Sequence, residues 1–367
     1  MPAIFGLDLI AAHPNATGRD ITDRYTEVVN NAVLFEQLGF DGFAVGERHH
    51  RPFISSSPPV VLSHIAARTS RIRLLTGVTL LSALDPVRVA EDYATVDHLS
   101  GGRLELIIGK GNGPEQAELF GVGRTEAWDT IDTNYRLLRR LWSGEPVTWE
   151  PPADQPSVRH SALHEAVVFP PPLQRRIRIW HGSATSERSV ELAVEFGDPV
   201  FSANGFNPVE HYAKLVRHYR QEWAARGRHP DDALVGAGHG TGVITPRSQD
   251  AVERYRPIFE AQQAKLAQID HHLPGTRTTW ADYDDYLAHG SALIGSPAEV
   301  VEKVLRYHEE FGNKAITIAG HRGELEQTEW EASLRLFASE VLPELRKVIP
   351  LPPSPDESAD IAVPLAA

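Results

Sequence analysis

The chain has 367 residues, 36 Lys and Arg against 49 Asp and Glu, a formal charge of −13, and no cysteine. Hydrophobic residues at 41% and charged residues at 23% are ordinary globular usage, which excludes a disordered, collagen-like or disulfide-scaffolded chain. The acidic balance argues against a nucleic-acid partner, because neutralising phosphates needs a basic face. No apolar run reaches the roughly 20 residues of a membrane span. Residues 1–15 lack the basic region and apolar core of a signal peptide, so a cytoplasmic location is expected. Turn chemistry stands out: there are 27 Pro and 28 Gly, and proline exceeds its usual share of about 5%.

In chain order the pattern is strand, loop, helix, repeated. Ile4–Ile10 is a short apolar run, and Arg24–Leu38 then shows helical spacing that stops at Gly39, a C′ glycine. Further strands are predicted at Phe40–Val45, Ile72–Leu81, Leu104–Ile108, Ile177–Trp180, Pro199–Ser202, Leu234–Ile244 and Lys314–Ala319. Eight near-continuous apolar strands, each followed by a helical segment, imply a parallel sheet covered on its outer face. Helix starts are marked by Ser57-Pro58, Asp85-Pro86, Asn207-Pro208, Thr245-Pro246 and Ser296-Pro297, a capping side chain before a proline pre-set for the first helical position. Ser296 with Glu299 has capping-box spacing, and Asn207 with Glu210 is spaced alike.

Two stretches break the rhythm. Glu145–Arg176 is proline-rich and reads as an extended excursion before the fifth strand. Ala261–Ser291 is polar and reads as a long loop between strands 7 and 8, a candidate lid. The tail from Pro350 is expected to be disordered, or an arm lying on a partner subunit. Eight such units fit a closed barrel or an open doubly wound sheet; a (β/α)8 TIM barrel of about 250 residues leaves room for both insertions and the tail. The proline-opened helices favour that barrel as one domain over residues 1–349, with insertions after helix 4 and between strands 7 and 8.

In a barrel, chemistry sits at the strand C-termini. After strand 2 comes Gly46-Glu47-Arg48-His49-His50. A histidine there can act as a general base or donate to a ligand; a plain surface loop is the competing reading. Zinc needs three or four ligands, of which His49-His50 supplies at most a part, so no metal site is expected. After strand 4 comes Gly109-Lys110-Gly111-Asn112-Gly113, where glycines allow close backbone approach and Lys110 can pair with phosphate. It is neither a Walker loop nor a dinucleotide fingerprint. After strand 5, Thr185, Ser186 and Ser189 open a helix, which is either an anion site or ordinary capping. Together with Lys110 they describe a phosphate pocket shared by neighbouring loops.

Taken together, these segments resemble the bacterial-luciferase-like flavin monooxygenases. The resemblance is carried by Phe35–His50, Thr76–Gly113, Gly182–Phe201 and the ending from Ile294, with the L-S-G-G-R-L segment Leu99–Leu104 as the most specific motif. It implies FMN bound at the strand C-termini, its phosphate meeting Lys110, Gly111, Ser186 and Ser189 with Thr185 close by and Arg124 as the nearest additional arginine. Thr76, Gly77 and Val78 would lie under the flavin ring, with a non-proline cis peptide at Gly77–Val78. Relatives end strand 2 in E-H-H. An ungapped match puts Arg48 at the place of the first histidine; a one-residue shift restores His49 and His50 as the pair, and His49 is favoured as the functional imidazole. Gly109 stands where luciferase carries its reactive cysteine, so light emission is not implied.

The activity so implied is a monooxygenase using reduced FMN and O2 on a small organic substrate. No NAD(P)H fingerprint is present, so a separate flavin reductase is expected, and the resemblance implies a homodimer. The alternatives are hydride transfer with the deazaflavin F420, a flavin-holding barrel without catalysis, and a metal-dependent barrel hydrolase.

Overall fold

Apolar strands that alternate with amphipathic helices can bury both faces only by curling inside a helical coat, and the chain does so. In the computed structural model, residues 3–13, 15–111, 115–123, 126–153, 156–204, 207–240, 242–270, 280–321 and 323–352 are described. The staves are β1 (Ala3–Asp8), β2 (Gly42–Val45), β3 (Arg73–Thr76), β4 (Leu104–Gly109), β5 (Arg178–Ser183), β6 (Val200–Ser202), β7 (Val235–Gly238) and β8 (Ala315–Ala319). All pair in parallel in the order β3-β2-β1-β8-β7-β6-β5-β4, and β4 pairs back on β3 to close the ring. This is the (β/α)8 barrel expected from the sequence.

The interior is layered. Phe5, Ala44, Leu75, Ile107, Trp180 and Phe201 form its packed middle. Below them Glu105 is buried and ion-paired with Arg73 and Arg178, while it accepts the Trp180 indole N–H at 2.7 Å. A cavity of about 420 Å³ opens at that end, lined by Arg73, Glu105, Arg178 and Leu351 among others. It lies at the N-terminal end of the strands, opposite the end where barrel chemistry sits.

Helix starts follow the proline signals in part. Asp85 accepts the Val87 N–H at 2.8 Å, and Glu299 accepts the Ser296 N–H at 2.7 Å and its hydroxyl at 2.8 Å. Asn207 does not cap: it donates to Tyr212 Oη, and its helix runs Val209–Ala225. Thr245 donates to the Arg247 carbonyl, so that helix begins at Ser248. The Leu99–Leu104 motif is architectural. Gly101 and Gly102 take φ of 69° and 80°, and Arg103 donates to the carbonyls of Ala66, Thr69, Ile72 and Ser100. It thereby caps the helix Pro58–Ala66 and fixes the entry of β4.

Two strand expectations are corrected. The run 72–81 bends at Gly77-Val78, and only Thr79–Leu80 resumes pairing with β4. The run 234–244 leaves the ring after Gly238, and Val243–Ile244 pairs with Ile294–Gly295. The excursions differ as well. Val147–Trp149 and Leu163–Ala166 form an antiparallel ribbon, and Gln174 anchors its return to the buried carboxylate of Asp97.

The second excursion is packed at both ends rather than a loose loop. Its first part extends the helix Ser248–Asp270, and Tyr283–His289 is helical. Tyr255, Phe259, Trp280, Tyr283 and Tyr286 form a core of their own, and Lys303 donates to the Leu287 and Ala292 carbonyls. The helix-forming run Ala261–Ala264 and the aromatic spacing explain this better than its polarity does. Residues 271–279 and the tail from 353 lie outside the described residues. Among the described residues no helix is long and apolar enough to cross a membrane.

An ionic clamp locks the seam of β1 and β8. Arg24 binds buried Asp8 at 2.9 Å, Glu27 at 2.7 Å and the His321 carbonyl at 2.7 Å, and Glu27 holds His321 Nδ1 at 2.6 Å. Burial opposes a charge on His321, but its bonds to Glu27 and the Leu325 carbonyl outweigh burial and raise its pKa above 6.5. A raised histidine stabilises the fold most fully below the unfolded value and loses that contribution as pH rises through the folded value. His321→Gln is therefore expected to cost about 1–3 kcal/mol at pH 5.5. The gap to wild type should narrow as pH climbs above 6.5, which urea denaturation across pH 5.5–9 measures.

Candidate active site

At the C-terminal end of the ring the inward positions change character. Where the middle layer carries Phe5, Leu75, Ile107 and Trp180, the next inward residues on β2 to β5 are Gly46, Gly77, Gly109 and Gly182. The missing side chains are what lets three aliphatic groups pack over the barrel mouth. A Cβ on Gly46 would overlap Leu9, and one on Gly77 would sit 2.5 Å from Leu7. One on Gly109 would sit 3.0 Å from Val78, and one on Gly182 would press the Ile108 carbonyl at 3.0 Å and Val78 at 3.2 Å. Leu7, Leu9 and Val78 are each half-buried, and together they form an apolar floor.

Val78 reaches this place because the chain turns at Gly77, and the Gly77–Val78 peptide is cis. The turn interrupts the β3–β4 ladder, leaving Ile107 without a main-chain partner there. Thr76 Oγ1 fills the gap, 3.1 Å from both the N–H and the carbonyl of Ile107. Thr79 Oγ1 lies 2.9 Å from Thr76 Oγ1 and 3.0 Å from Tyr93 Oη. Thr76 is fully buried, so it braces the floor from behind.

The polar group beside the floor is a carboxylate–imidazole pair. Glu47, 3% exposed, accepts the Leu80 N–H at 3.0 Å and faces His49 Nε2 at 2.9 Å. The backbone bond fixes the carboxylate and the carboxylate fixes the ring; a carboxylate only accepts, so the proton sits on Nε2 and Nδ1 is left as the acceptor. Arg48 and His50 turn elsewhere, packing on the Phe53 ring at 5.6 Å and 5.2 Å. The loop is held by the Arg48 N–H on the Ser55 carbonyl and by Phe53 bridging Ala11. Glu47 had no role assigned from sequence; its signal is an acid one residue beyond an all-apolar strand.

The β4 and β5 ends are neighbours through the pairing Ile108↔His181. Lys110 is exposed, its carbonyl accepts from Ser82 at 3.2 Å, and its ammonium stands 6.0 Å from the Trp128 ring. Gly111 takes φ of 70°, a backbone state that favours glycine. Across from it, Ser186 precedes the helix Glu187–Phe196 without capping it, and its N–H donates to Ser183 Oγ at 2.9 Å. Thr185 is exposed, while Ser189 in the first turn is buried. The helix Ala127–Leu141 bridges the two ends: Trp128 meets Lys110, and Asp129 pairs with Arg188. Arg124 lies outside the described residues. Among the described residues no three His, Cys, Asp or Glu side chains converge on a point that could hold a metal ion.

The fold and this constellation define a (β/α)8 barrel with an apolar floor, one oriented imidazole and an exposed lysine at the strand C-termini. The luciferase-like monooxygenase family model matches residues 4–314, and the chain belongs to that family. Limonene 1,2-monooxygenase of Rhodococcus erythropolis is 25% identical over 311 residues, covering 84% of this chain and 78% of its own. Among solved structures, monooxygenase RslO1 from Streptomyces bottropensis superposes with a TM-score of 0.79 at 26% identity, covering 93% of this chain and 99% of that one. The oxygenating constituent of 3,6-diketocamphane monooxygenase from Pseudomonas putida, solved with FMN, gives 0.76 at 20% identity, with 96% and 100% covered.

The floor gives a direct expectation. Gly182→Ala must push against a backbone carbonyl as well as Val78, so it should destabilise the fold by about 1–3 kcal/mol and tilt Val78 into the mouth. Chemical denaturation measures the first effect and a crystal structure the second.

Proposed function

We propose that the protein is a flavin-dependent monooxygenase that binds FMN on the Leu7–Leu9–Val78 floor. The observation that carries this reading is the glycine-built floor. A planar ring needs a wide, flat, apolar bed with no projecting side chain, and Gly46, Gly77, Gly109 and Gly182 provide one. The rim fits the other end of the molecule, since Lys110 and the free N–H groups opening the helix Glu187–Phe196 suit a phosphate. The family and its named monooxygenase relatives support the same reaction class.

When bound, the flavin supplies the redox chemistry that activates O2 and delivers one oxygen atom to an organic substrate. The chain supplies the rest. Glu47 holds His49 so that Nδ1 can accept a hydrogen bond or a proton from the reacting group. The aliphatic floor excludes water beneath the ring. Reduced flavin is taken up from a separate reductase.

Oxidised FMN is expected to bind saturably, with quenching of its fluorescence; no saturable binding of either redox state, or binding of the deazaflavin F420 alone, overturns the proposal. Lys110→Ala should weaken FMN about tenfold yet leave riboflavin affinity unchanged, because only FMN carries the phosphate. His49→Asn should slow oxygenation of an accepted substrate about 100-fold while FMN still binds, which stopped-flow turnover and flavin titration separate.

A further inference from the structure

The cavity at the N-terminal end of the barrel is unlike the packed layer above it. It measures about 420 Å³, a size that takes a small organic molecule. Phe5, Phe40, Ile72 and Leu351 give it an apolar wall, and Leu351 is 45% exposed. That end of a barrel ordinarily serves stability, which a filled space supports better than an open one.

The charges around the cavity are unevenly engaged. Among the described residues three carboxylates line it, and each has its partners. Glu105, 1% exposed, accepts the Trp180 indole N–H and pairs with Arg73 and Arg178. Burial opposes its charge, but the two guanidiniums outweigh burial and lower its pKa. Glu36 accepts the backbone N–H groups of Ser70, Arg71 and Ile72 at 3.0, 2.7 and 2.8 Å. Asp41 accepts the Ile4 N–H at 2.9 Å and pairs with Arg346 at 3.3 Å. Two guanidiniums are in the opposite condition. Arg71 and Arg73 flank Ile72 at the entry to β3, and both line the cavity. Arg73 sets Nε on Glu105 and donates from Nη2 to the Leu104 carbonyl at 3.4 Å, which leaves Nη1. Arg71 is exposed, and among the described residues its guanidinium makes no hydrogen bond or ion pair.

We infer that this cavity is a second ligand site, which takes an organic carboxylate on a compact apolar body. The carboxylate meets the Arg71 guanidinium and Arg73 Nη1, and the body lies against Phe5, Phe40 and Ile72. A cation would find each carboxylate already engaged, and a neutral molecule would leave Arg71 without an anion. Inorganic phosphate would suit the arginines but leave the apolar wall wet. The site is independent of the flavin reading, because the Phe5–Ile107–Trp180 layer separates it from the Leu7–Leu9–Val78 floor.

The test is calorimetric titration of the full chain with 2-naphthoate, its neutral amide 2-naphthamide and inorganic phosphate, each with and without saturating FMN. Naphthoate should bind saturably with an affinity that FMN leaves unchanged, and the amide and phosphate should each bind about tenfold more weakly or worse. Arg71→Ala alters an exposed rim position, so it should weaken naphthoate about fivefold without moving the urea midpoint. A crystal grown with 6-bromo-2-naphthoate should show the bromine by anomalous scattering against the Phe5 and Phe40 rings. No saturable naphthoate binding, amide or phosphate binding as tight, an unchanged affinity in Arg71→Ala, displacement by FMN, or a bromine peak at the opposite mouth would each overturn the inference. Naphthoate binding by a protein that takes up no FMN sinks the flavin reading and keeps this one, and FMN binding without naphthoate binding does the reverse.

Discussion

Four inward positions at the C-terminal end of the barrel carry no side chain, and the site exists because of it. A barrel of eight strands is wide enough to be filled by its own residues, and its middle layer is filled, by Phe5, Leu75, Ile107, Trp180 and Phe201. One layer higher, Gly46, Gly77, Gly109 and Gly182 leave the packing unfinished. Leu7, Leu9 and Val78 lie across the gap, and the result is a bed instead of a plug. A methyl group on any of these glycines would meet a neighbour at or inside contact distance, so the close approach of the floor is a steric property of the backbone.

The polar machinery is coupled to that floor through the main chain. The turn that brings Val78 inward also presents the Leu80 N–H to Glu47, and Glu47 in turn orients His49. The same turn strips Ile107 of its ladder partner on the β3 side, which Thr76 replaces with a hydroxyl. Floor, imidazole and buried hydroxyl chain are thus one unit. Buried polar groups of this kind are tolerated because each meets a partner within hydrogen-bonding distance.

Much of the scaffold was legible in the sequence. Eight apolar runs separated by helical periodicity specify parallel staves, since only such strands are apolar on both faces. Gly39, Asp85 and the Ser296–Glu299 pair work through local backbone geometry and hold where expected. Asn207 and Thr245 satisfy the same local pattern yet bond elsewhere, because Tyr212 Oη and the Arg247 carbonyl are closer claimants. The polar stretch after residue 260 reads as a loop until its aromatic residues are seen packing on one another. A few buried rings can hold a segment whose average composition is hydrophilic.

The sequence by itself determined the eight parallel βα units, where their polar ends fall, and which loops carry ionisable residues, because strand and helix periodicity and capping are short-range properties. Only the tertiary structure decided among the residues in those loops. It set His49 on a buried carboxylate and Arg48 and His50 on an aromatic ring, three adjacent positions with different fates. It committed the Thr76 hydroxyl to a backbone gap and left Phe120 in solvent against an imidazole. The partners in each case come from strands and loops distant in sequence, so their meeting depends on how the ring closes.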